Sequence, residues 1–370
     1  MTLLICKIDE IKLITMSFTL YTFAIICAWN SFSDSMNIFY SDSKFARRTV
    51  SQKCFDEILG SSLTHFVPVS KGENFYFEET KRPIYLHNTD LQDAEALGGN
   101  KLLYVYLGSK AGIEYVAVDL PSGDSNQAAE SATSHVPTLP LRLRQLGVKA
   151  DILRSFSEQL ADFDDASLLA HARGMIVWHN STRYCCKCGS KTNAQRAGAS
   201  RKCSNDACKS SSYPRLEPAS IMLITDRAGS HCLLGRKAAW PVGRYSALAG
   251  FTEVGETLEQ TVVRETFEEA GVVVEADSLR MVASQPWPFP SSLMIGYRGV
   301  CSDEGIPDIR FDEKEMQDVR WFSKEDVRNS LEGGSTSLGD WKPNEKESVL
   351  HFPGVSSLAR VLLTQWCDEV

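Results

Sequence analysis

Hydrophobic positions change their period along this chain, and each period predicts an element. Leu153 to Trp178 carries helical spacing, clearest at Leu168, Leu169, Ala172 and Ile176. Between Phe39 and Leu120, short β-type runs such as Phe75-Tyr76-Phe77 and Leu102 to Leu107 alternate with Gly, Pro and Asp, which predicts a small strand-rich domain. Further on, Ile221 to Thr225 and Cys232 to Leu234 read as strands, Thr257 to Ala270 as a helix, and Val319 to Phe322 as a late strand. Ser122 to Pro137 and Glu332 to Ser348 are poor in apolar residues and read as surface loops. Leu13 to Trp29 is an uncharged apolar run at the short limit of a membrane span. It admits two readings, a signal anchor that would associate residues 13–29 with a membrane, or a non-essential extension with Met36 as an alternative start.

With 370 residues the chain exceeds one ordinary core, and 43% hydrophobic with 23% charged residues excludes wholesale disorder and a polytopic membrane protein. We expect four segments: 1–35, the apolar extension; 36–165, the strand-rich N-terminal domain; 166–215, a helix and a cysteine-rich segment; and 216–370. The net charge of -8 offers no global attraction to nucleic acid, so any such contact requires a local patch or one chemically recognised end. The C-terminal Cys367-Asp368-Glu369-Val370 is not an S-K-L-like address, and the expected compartment is cytoplasmic or organellar, with peroxisome and mitochondrion both open.

Eleven cysteines, an odd number and clustered, favour a metal over a disulfide framework. Cys185-x2-Cys188 and Cys203-x4-Cys208 have the spacing of two knuckles around one tetrahedral Zn2+. Four thiolates leave no position for water, so the zinc is expected to be structural, with Cys186 as a spare thiol. Zinc ribbons also serve as interaction modules, and Lys187, Lys191, Arg196, Arg201, Lys202 and Lys209 keep that rival in view.

The stretch Gly250 to Val272 carries the chemistry. Thr257 and Gln260 form a capping box, Gly271 stops the helix, and Val263, Phe267 and Ala270 make an apolar stripe expected to pack on a sheet. Glu265, Glu268 and Glu269 fall on a different face. An exposed acidic face would look the same, but carboxylates this close suit a divalent cation such as Mg2+ or Mn2+.

The spacing of Gly250, Glu256, Arg264, Glu265, Glu268, Glu269, Gly271 and Val272 resembles the Nudix box, departing only at Thr266, where the family places an aliphatic residue. Beyond it, Gln285-Pro286-Trp287-Pro288-Phe289-Pro290-Ser291-Ser292 reads as a rigid extended loop with two aromatic stacking surfaces. It resembles the signature of the NADH pyrophosphatase subgroup, which also carries a four-cysteine ribbon. The resemblance implies an α+β fold, a Nudix α/β/α sandwich with a mixed sheet preceded by the ribbon and the smaller strand-rich domain. It implies an enzyme that cleaves NADH or NAD+ to nicotinamide mononucleotide and AMP, acts on NAD-capped RNA 5' ends, and forms a homodimer.

By the same resemblance, Glu265, Glu268, Glu269 and Glu315, with the Ala249 carbonyl, hold the catalytic metal, and Arg264 orients a catalytic glutamate. Tyr213 and Phe251 sandwich a ring, Gln285 to Ser292 contacts the substrate, and Ala359 contacts the nucleotide through its backbone. A glutamate that family members place past the second cysteine is replaced here by Gly198. Two alternatives remain: a Nudix hydrolase for ADP-ribose or another dinucleotide, and a zinc-ribbon interaction protein with a silent Nudix fold.

Overall fold

The computed structural model describes residues 45–46, 50–91, 102–121, 139–160, 162–333 and 350–369. The chain divides into two compact units, Met1–Ile38 and Phe39–Val370, and every described residue belongs to the second. The apolar run Leu13 to Trp29, the loop Ser122 to Pro137 and most of Glu332 to Ser348 lie outside the described residues. No helix among the described residues is long and apolar enough to cross a membrane.

The first sheet follows helix α1 (Gln52–Gly60) and is built from β1 (Thr64–Ser70), β2 (Glu73–Phe77), β3 (Leu103–Lys110) and β4 (Ile113–Asp119). After α2 (Leu139–Gln145) comes its last strand, β5 (Val148–Asp151), giving the order β3-β4-β1-β2-β5. Only β1 and β4 pair in parallel. Two hairpins turn on two-residue loops, Lys71-Gly72 and Ala111-Gly112, all four at positive φ, as the twist of the flanking strands requires. These are the Gly-punctuated runs expected from sequence.

A short helix α3 (Leu153–Phe156) leads into the long α4 (Phe163–Ser181), capped by the Asp162 side chain. Leu168, Leu169, Ala172 and Ile176 are buried against one face of the sheet, with Val67, Val69, Val105 and Leu107. Burying each large aliphatic side chain stabilises by roughly 1.5–3 kcal/mol. The other face packs Phe66, Phe75, Val116 and Val118 against Phe55 and Ile58 of α1.

A three-stranded sheet β6 (Thr192–Gln195), β7 (Ser200–Cys203) and β8 (Ser211–Ser212) forms the ribbon. Its Arg196-Ala197-Gly198 turn docks on the first sheet, with the Tyr106 amide donating to the Ala197 carbonyl at 2.9 Å. Gly198 has φ +90°, and a Cβ there would stand 2.8 Å from Val105 Cγ1 and 2.9 Å from its Cα. That close approach is the physical reason for glycine at this position. His179 at the end of α4 is buried and bridges the junction. Arg201 can only donate, so its Nη1 donates to Nδ1 at 2.8 Å, and Nε2–H donates to the Gly198 carbonyl at 2.8 Å. Burial pushes the His179 pKa down to about 4, so the ring is neutral.

The third sheet contains β9 (Glu217–Thr225), β10 (His231–Arg236) and β11 (Leu248–Phe251), followed by helix α5 (Leu258–Ala270). Strands β12 (Arg280–Trp287), β13 (Ser292–Val300) and β14 (Asp318–Ser323) complete it before α6 (Lys324–Glu332) and α7 (Leu358–Asp368). The order is β12-β13-β9-β10-β14, with β11 also on β9; β13 and β9 are parallel and the remaining pairs antiparallel. Helix α5 packs on β9 and β11, and α7 on β9, β12 and β13, which makes the expected α/β/α sandwich around a mixed sheet.

The capping box is present in both directions, Gln260 N to Thr257 Oγ1 at 3.2 Å and Thr257 N to Gln260 Oε1 at 2.8 Å, and Gly271 closes the helix at φ +69°. The expected stripe holds at Ala270 and at Val263, which packs on the sheet core, and is corrected at Phe267. Phe267 is 57% exposed, and the buried face carries Thr261, Val262, Glu265, Thr266, Glu269 and Ala270. A wheel ranks faces by apolarity, whereas this helix buries the face whose carboxylates have partners in the neighbouring loop and strand. Thr266 tolerates full burial because its hydroxyl donates to the Val262 carbonyl at 2.7 Å.

The ribbon junction makes a direct prediction. Gly198→Ala should destabilise the protein by about 1–3 kcal/mol through overpacking and backbone strain. Gly112→Ala shares the positive φ (+81°) but meets nothing within 4 Å, so it should cost distinctly less. Thermal melts of both variants check this; equal losses would mean that strain alone acts at Gly198.

Candidate active site and metal centre

Arg264 on α5 gathers the loop that connects β11 to the helix. Its Nε donates to Glu256 Oε1 at 2.6 Å and its Nη2 to Glu256 Oε2 at 2.9 Å and to the Phe251 carbonyl at 2.9 Å. Its Nη1 reaches Glu265 Oε1 at 2.8 Å and Glu268 Oε2 at 2.9 Å. The Arg264 hydrogen bond is the main reason that the Glu256 carboxyl is held down at about 2, helped by the Glu253 amide. Glu256 belongs to the spacing read from sequence, but its part in holding the site was missed there; only its partner Arg264 was assigned a role.

Glu265 lies in a cradle that only glycine allows. A Cβ on Gly250 would come within 1.8–2.2 Å of the Glu265 carboxylate atoms. Glu269 is 1% exposed, and its Oε2 accepts from the Ala249 amide at 3.3 Å. Its Oε1 makes no hydrogen bond; the Lys237 ammonium stands 3.5 Å away, an ion-pair distance. Burial pushes the Glu269 carboxyl up to about 7, with Lys237 opposing and Glu265 adding to the shift. Glu265 is raised for the same first reason, and the charges of Glu268 and Glu315 contribute.

Two desolvated carboxylates beside further acids, one with an oxygen that accepts no hydrogen bond, form a donor set that fits a divalent cation. The carboxylates are not gathered into one tight cluster. Among the described residues, the four cysteines are the group of three or more potential ligands whose donor atoms converge.

The segment Gln285 to Ser292 differs from the expected rigid extended loop in being strand at both ends. Gln285, Pro286 and Trp287 end β12, paired with Met294, Leu293 and Ser292 of β13, so the turn is confined to Pro288–Ser291. Pro286 is tolerated because β12 is an edge strand. The turn docks on α4: Arg173 donates to the Pro288 carbonyl and lies 4.8 Å from the Phe289 ring centroid, and Pro288 Cβ packs against Gly174. Trp287 and Phe289 pack on the N-terminal core with their rings edge to face, rather than standing free. Pro290 follows within the same turn, and the Ser291 carbonyl accepts from the Glu217 amide at 2.9 Å.

Gln285 is buried and clamps the entry to α7, donating to the Ser356 carbonyl at 2.7 Å and accepting from the Leu358 amide at 2.9 Å. The Ala359 amide is held by Ser357 Oγ at 3.2 Å. Tyr213, between β8 and β9, and Phe251, at the end of β11, are 56% and 57% exposed, so both rings are open to a ligand.

A cleft of 420 Å³ brings Ala249 and Glu269 together with Gln285, Trp287 and the entry to α7, while Tyr213 and Phe251 are not among its lining residues. Ala249 and Glu269 line one wall, Gln285 and Trp287 another, and Arg154, Lys237 and Arg244 complete it. Those three cations were not found from sequence. Lys237 and Arg244 flank Trp240-Pro241 just upstream of the glycine box, but no periodicity marks them, and Arg154 comes from α3, far away in sequence.

The metal centre is separate. Cys185, Cys188, Cys203 and Cys208 place their sulfurs within 4.8 Å of one another, with Cys185 to Cys208 at 3.8 Å and Cys188 to Cys203 at 3.5 Å. A tetrahedron of sulfurs at Zn–S distances near 2.3 Å has edges of about 3.8 Å, so the set fits zinc. The two knuckles are built alike: the Cys185 amide donates to the Ser190 carbonyl and the Cys203 amide to the Ser210 carbonyl, each at 2.8 Å. Gly189 and Lys209 take the left-handed position after each. Cys186 is exposed and outside the group.

Residues 215–342 match the model of the NUDIX domain. The chain is 35% identical over 286 residues to Nudix hydrolase 19, chloroplastic, of Arabidopsis thaliana, covering 72% of this chain and 61% of that protein. It is 36% identical over 208 residues to the human NAD-capped RNA hydrolase NUDT12, 55% of this chain and 42% of that one. With NAD-capped RNA hydrolase NudC of Mycobacterium bovis it shares 36% over 237 residues, 64% of this chain and 67% of that one. The chain thus spans from about two fifths to two thirds of the length of these relatives. A solved Nudix hydrolase from Nitrosomonas europaea aligns at 26% identity and a TM-score of 0.31, over 39% of this chain and 79% of that one.

The cysteine geometry predicts one zinc per chain by elemental analysis, with Cys203→Ser destabilising the fold and Cys186→Ser leaving it unchanged. Equal melting shifts for the two variants would contradict the ligand set.

Proposed function

The chain belongs to the Nudix hydrolase family, and on that premise we propose that it cleaves the pyrophosphate of NADH or NAD+ to nicotinamide mononucleotide and AMP, including NAD joined to the 5' end of RNA. The observation that carries the reading is the buried Glu269 carboxylate on the cleft wall, one oxygen held by the Ala249 amide and the other without a hydrogen bond. The relatives named as NAD-capped RNA hydrolases support the choice of substrate.

Glu265, Glu268, Glu269 and Glu315, with the Ala249 carbonyl, would hold Mg2+ or Mn2+. Such a cation supplies Lewis-acid polarisation of the phosphoryl oxygens and acidifies water. The chain's own contribution is positioning. Arg264 fixes Glu265 and Glu268 through one nitrogen, so neither carboxylate needs to reorganise when charge develops nearby. A glutamate of this set takes the proton of the attacking water. Phe251 and Tyr213 hold the planar ring by stacking, and Gln285 keeps the α7 entry in place at the cleft rim. Zinc in the ribbon is structural, since four thiolates complete its coordination.

We further propose a homodimer, in which Tyr213 of the partner subunit completes the ring pocket beside Phe251. The exposure of both rings supports this, because a stacking pair needs a second face.

Purified protein should release reduced nicotinamide mononucleotide and AMP from NADH only with a divalent cation, and Glu269→Gln should lower turnover by about 10²-fold or more. Product analysis by mass, with ADP-ribose in parallel, checks both points; faster hydrolysis of ADP-ribose than of NADH would turn the reading toward a general dinucleotide hydrolase.

Mixing Tyr213→Ala with Glu269→Gln chains, each nearly inactive alone, should restore part of the activity if one mixed dimer holds one intact site. No recovery despite demonstrated subunit exchange would place the pocket within one chain.

A further inference from the structure

Arg154 and Arg244 are two cleft cations that the reaction above leaves unused. Both line the same 420 Å³ space as Glu269 and Ala249, Arg154 from α3 of the N-terminal domain and Arg244 from the segment before β11. Neither guanidinium has a hydrogen-bond or ion-pair partner among the described residues. Arg244 is half-buried, and it is fixed from below: the Tyr245 amide donates to the His351 carbonyl at 3.0 Å and the His351 amide to the Gly243 carbonyl at 2.9 Å. Burial, and then the charge of Arg154, lower the Arg244 pKa, while Glu158 opposes them. That carboxylate is already engaged, accepting on Oε1 from the Ser356 amide at 3.0 Å and hydroxyl at 2.5 Å. Lys237, the remaining cation of the cleft, is drawn to Glu269.

Arg244, half-buried and without a hydrogen bond, and the exposed Arg154 repel one another with the Glu158 carboxylate as the opposing charge, and a phosphate matches their planar forks. The cleft is of nucleotide size, too small for a folded partner. The pyrophosphate to be cut is claimed by the carboxylate wall. We propose that Arg154 and Arg244 receive a further phosphate, one esterified to a ribose of the dinucleotide. The proposal rests on the dinucleotide reading of this cleft. Its chemistry has two sources, a 2'-phosphate on a free dinucleotide or the 3'-phosphodiester through which an RNA chain continues.

The test is calorimetric titration of the full chain, with Mg2+, using AMP, adenosine 2',5'-bisphosphate and adenosine 3',5'-bisphosphate. The wild type should bind one bisphosphate about tenfold or more tightly than AMP, as a charge-assisted pair predicts. In Arg244→Gln and in Arg154→Gln that ratio should fall to within about threefold. Arg154 is exposed, so its variant decides the matter if Arg244→Gln fails to fold. A preference for the 2' compound assigns the pair to a free dinucleotide phosphate, and a preference for the 3' compound to an RNA chain. No preference in the wild type, or a preference that survives in Arg154→Gln, overturns the proposal. Hydrolysis is read separately: absent dinucleotide cleavage with a retained bisphosphate preference would remove the proposed reaction and leave the pair standing.

Discussion

One guanidinium organises the candidate active site. Arg264 ties Glu256 in the loop, the Phe251 carbonyl at the end of β11, and Glu265 and Glu268 on its own helix into a single hydrogen-bonded unit. Three carboxylates so close would repel one another and swing into solvent. Shared around one cation, they fix the loop to the helix and leave Glu269, one turn further on, to be buried. Charge-assisted bonds of this kind are roughly twice as strong as neutral ones, which makes the arrangement rigid before any ligand arrives. Gly250 depends on the same unit, because the space a Cβ would need is taken by the Glu265 carboxylate.

The cleft is a product of more than the Nudix sandwich. The Pro288–Ser291 turn leans on α4, and α3 contributes Arg154 to the cleft lining. The segment that follows the N-terminal sheet therefore contributes to the cleft through Arg154 and Glu158. Helix α4 serves both ends of this arrangement: Arg173 and Gly174 receive the turn, while His179 receives the ribbon through the Gly198 carbonyl and Arg201. Arg201, one of the basic residues that kept an interaction module in view, spends its donors inside the protein on Thr192 and His179.

The segments closest to a local rule were legible without coordinates. Cysteine spacing is set by the short loops that can fold around one ion, so the four converging sulfurs follow from the sequence. The capping box, the Gly271 stop and the strands at Ile221 to Thr225 and Cys232 to Leu234 are equally local, because periodicity and cap chemistry act within a few residues. Helix geometry put Glu265, Glu268 and Glu269 close together, but an exposed acidic face would share that spacing; Arg264 and the metal role came from the resemblance to the Nudix box.

What the chain alone could not decide was which groups meet across elements. The buried face of α5 takes in Glu269 as well as Val262 and Ala270 because Glu269 finds the Ala249 amide only after β11 packs beside the helix, while Phe267 of the expected stripe stays exposed. Trp287 and Phe289 became packing residues because α4 lies against their turn, and Gln285 became a clamp because the entry to α7 arrives beside it. The Arg154 and Arg244 pair had no sequence signal at all, ninety positions apart and on different elements. Spacing along the chain carries information over one or two turns of backbone; the meeting of distant side chains in one cleft is settled by the packing of whole sheets and helices.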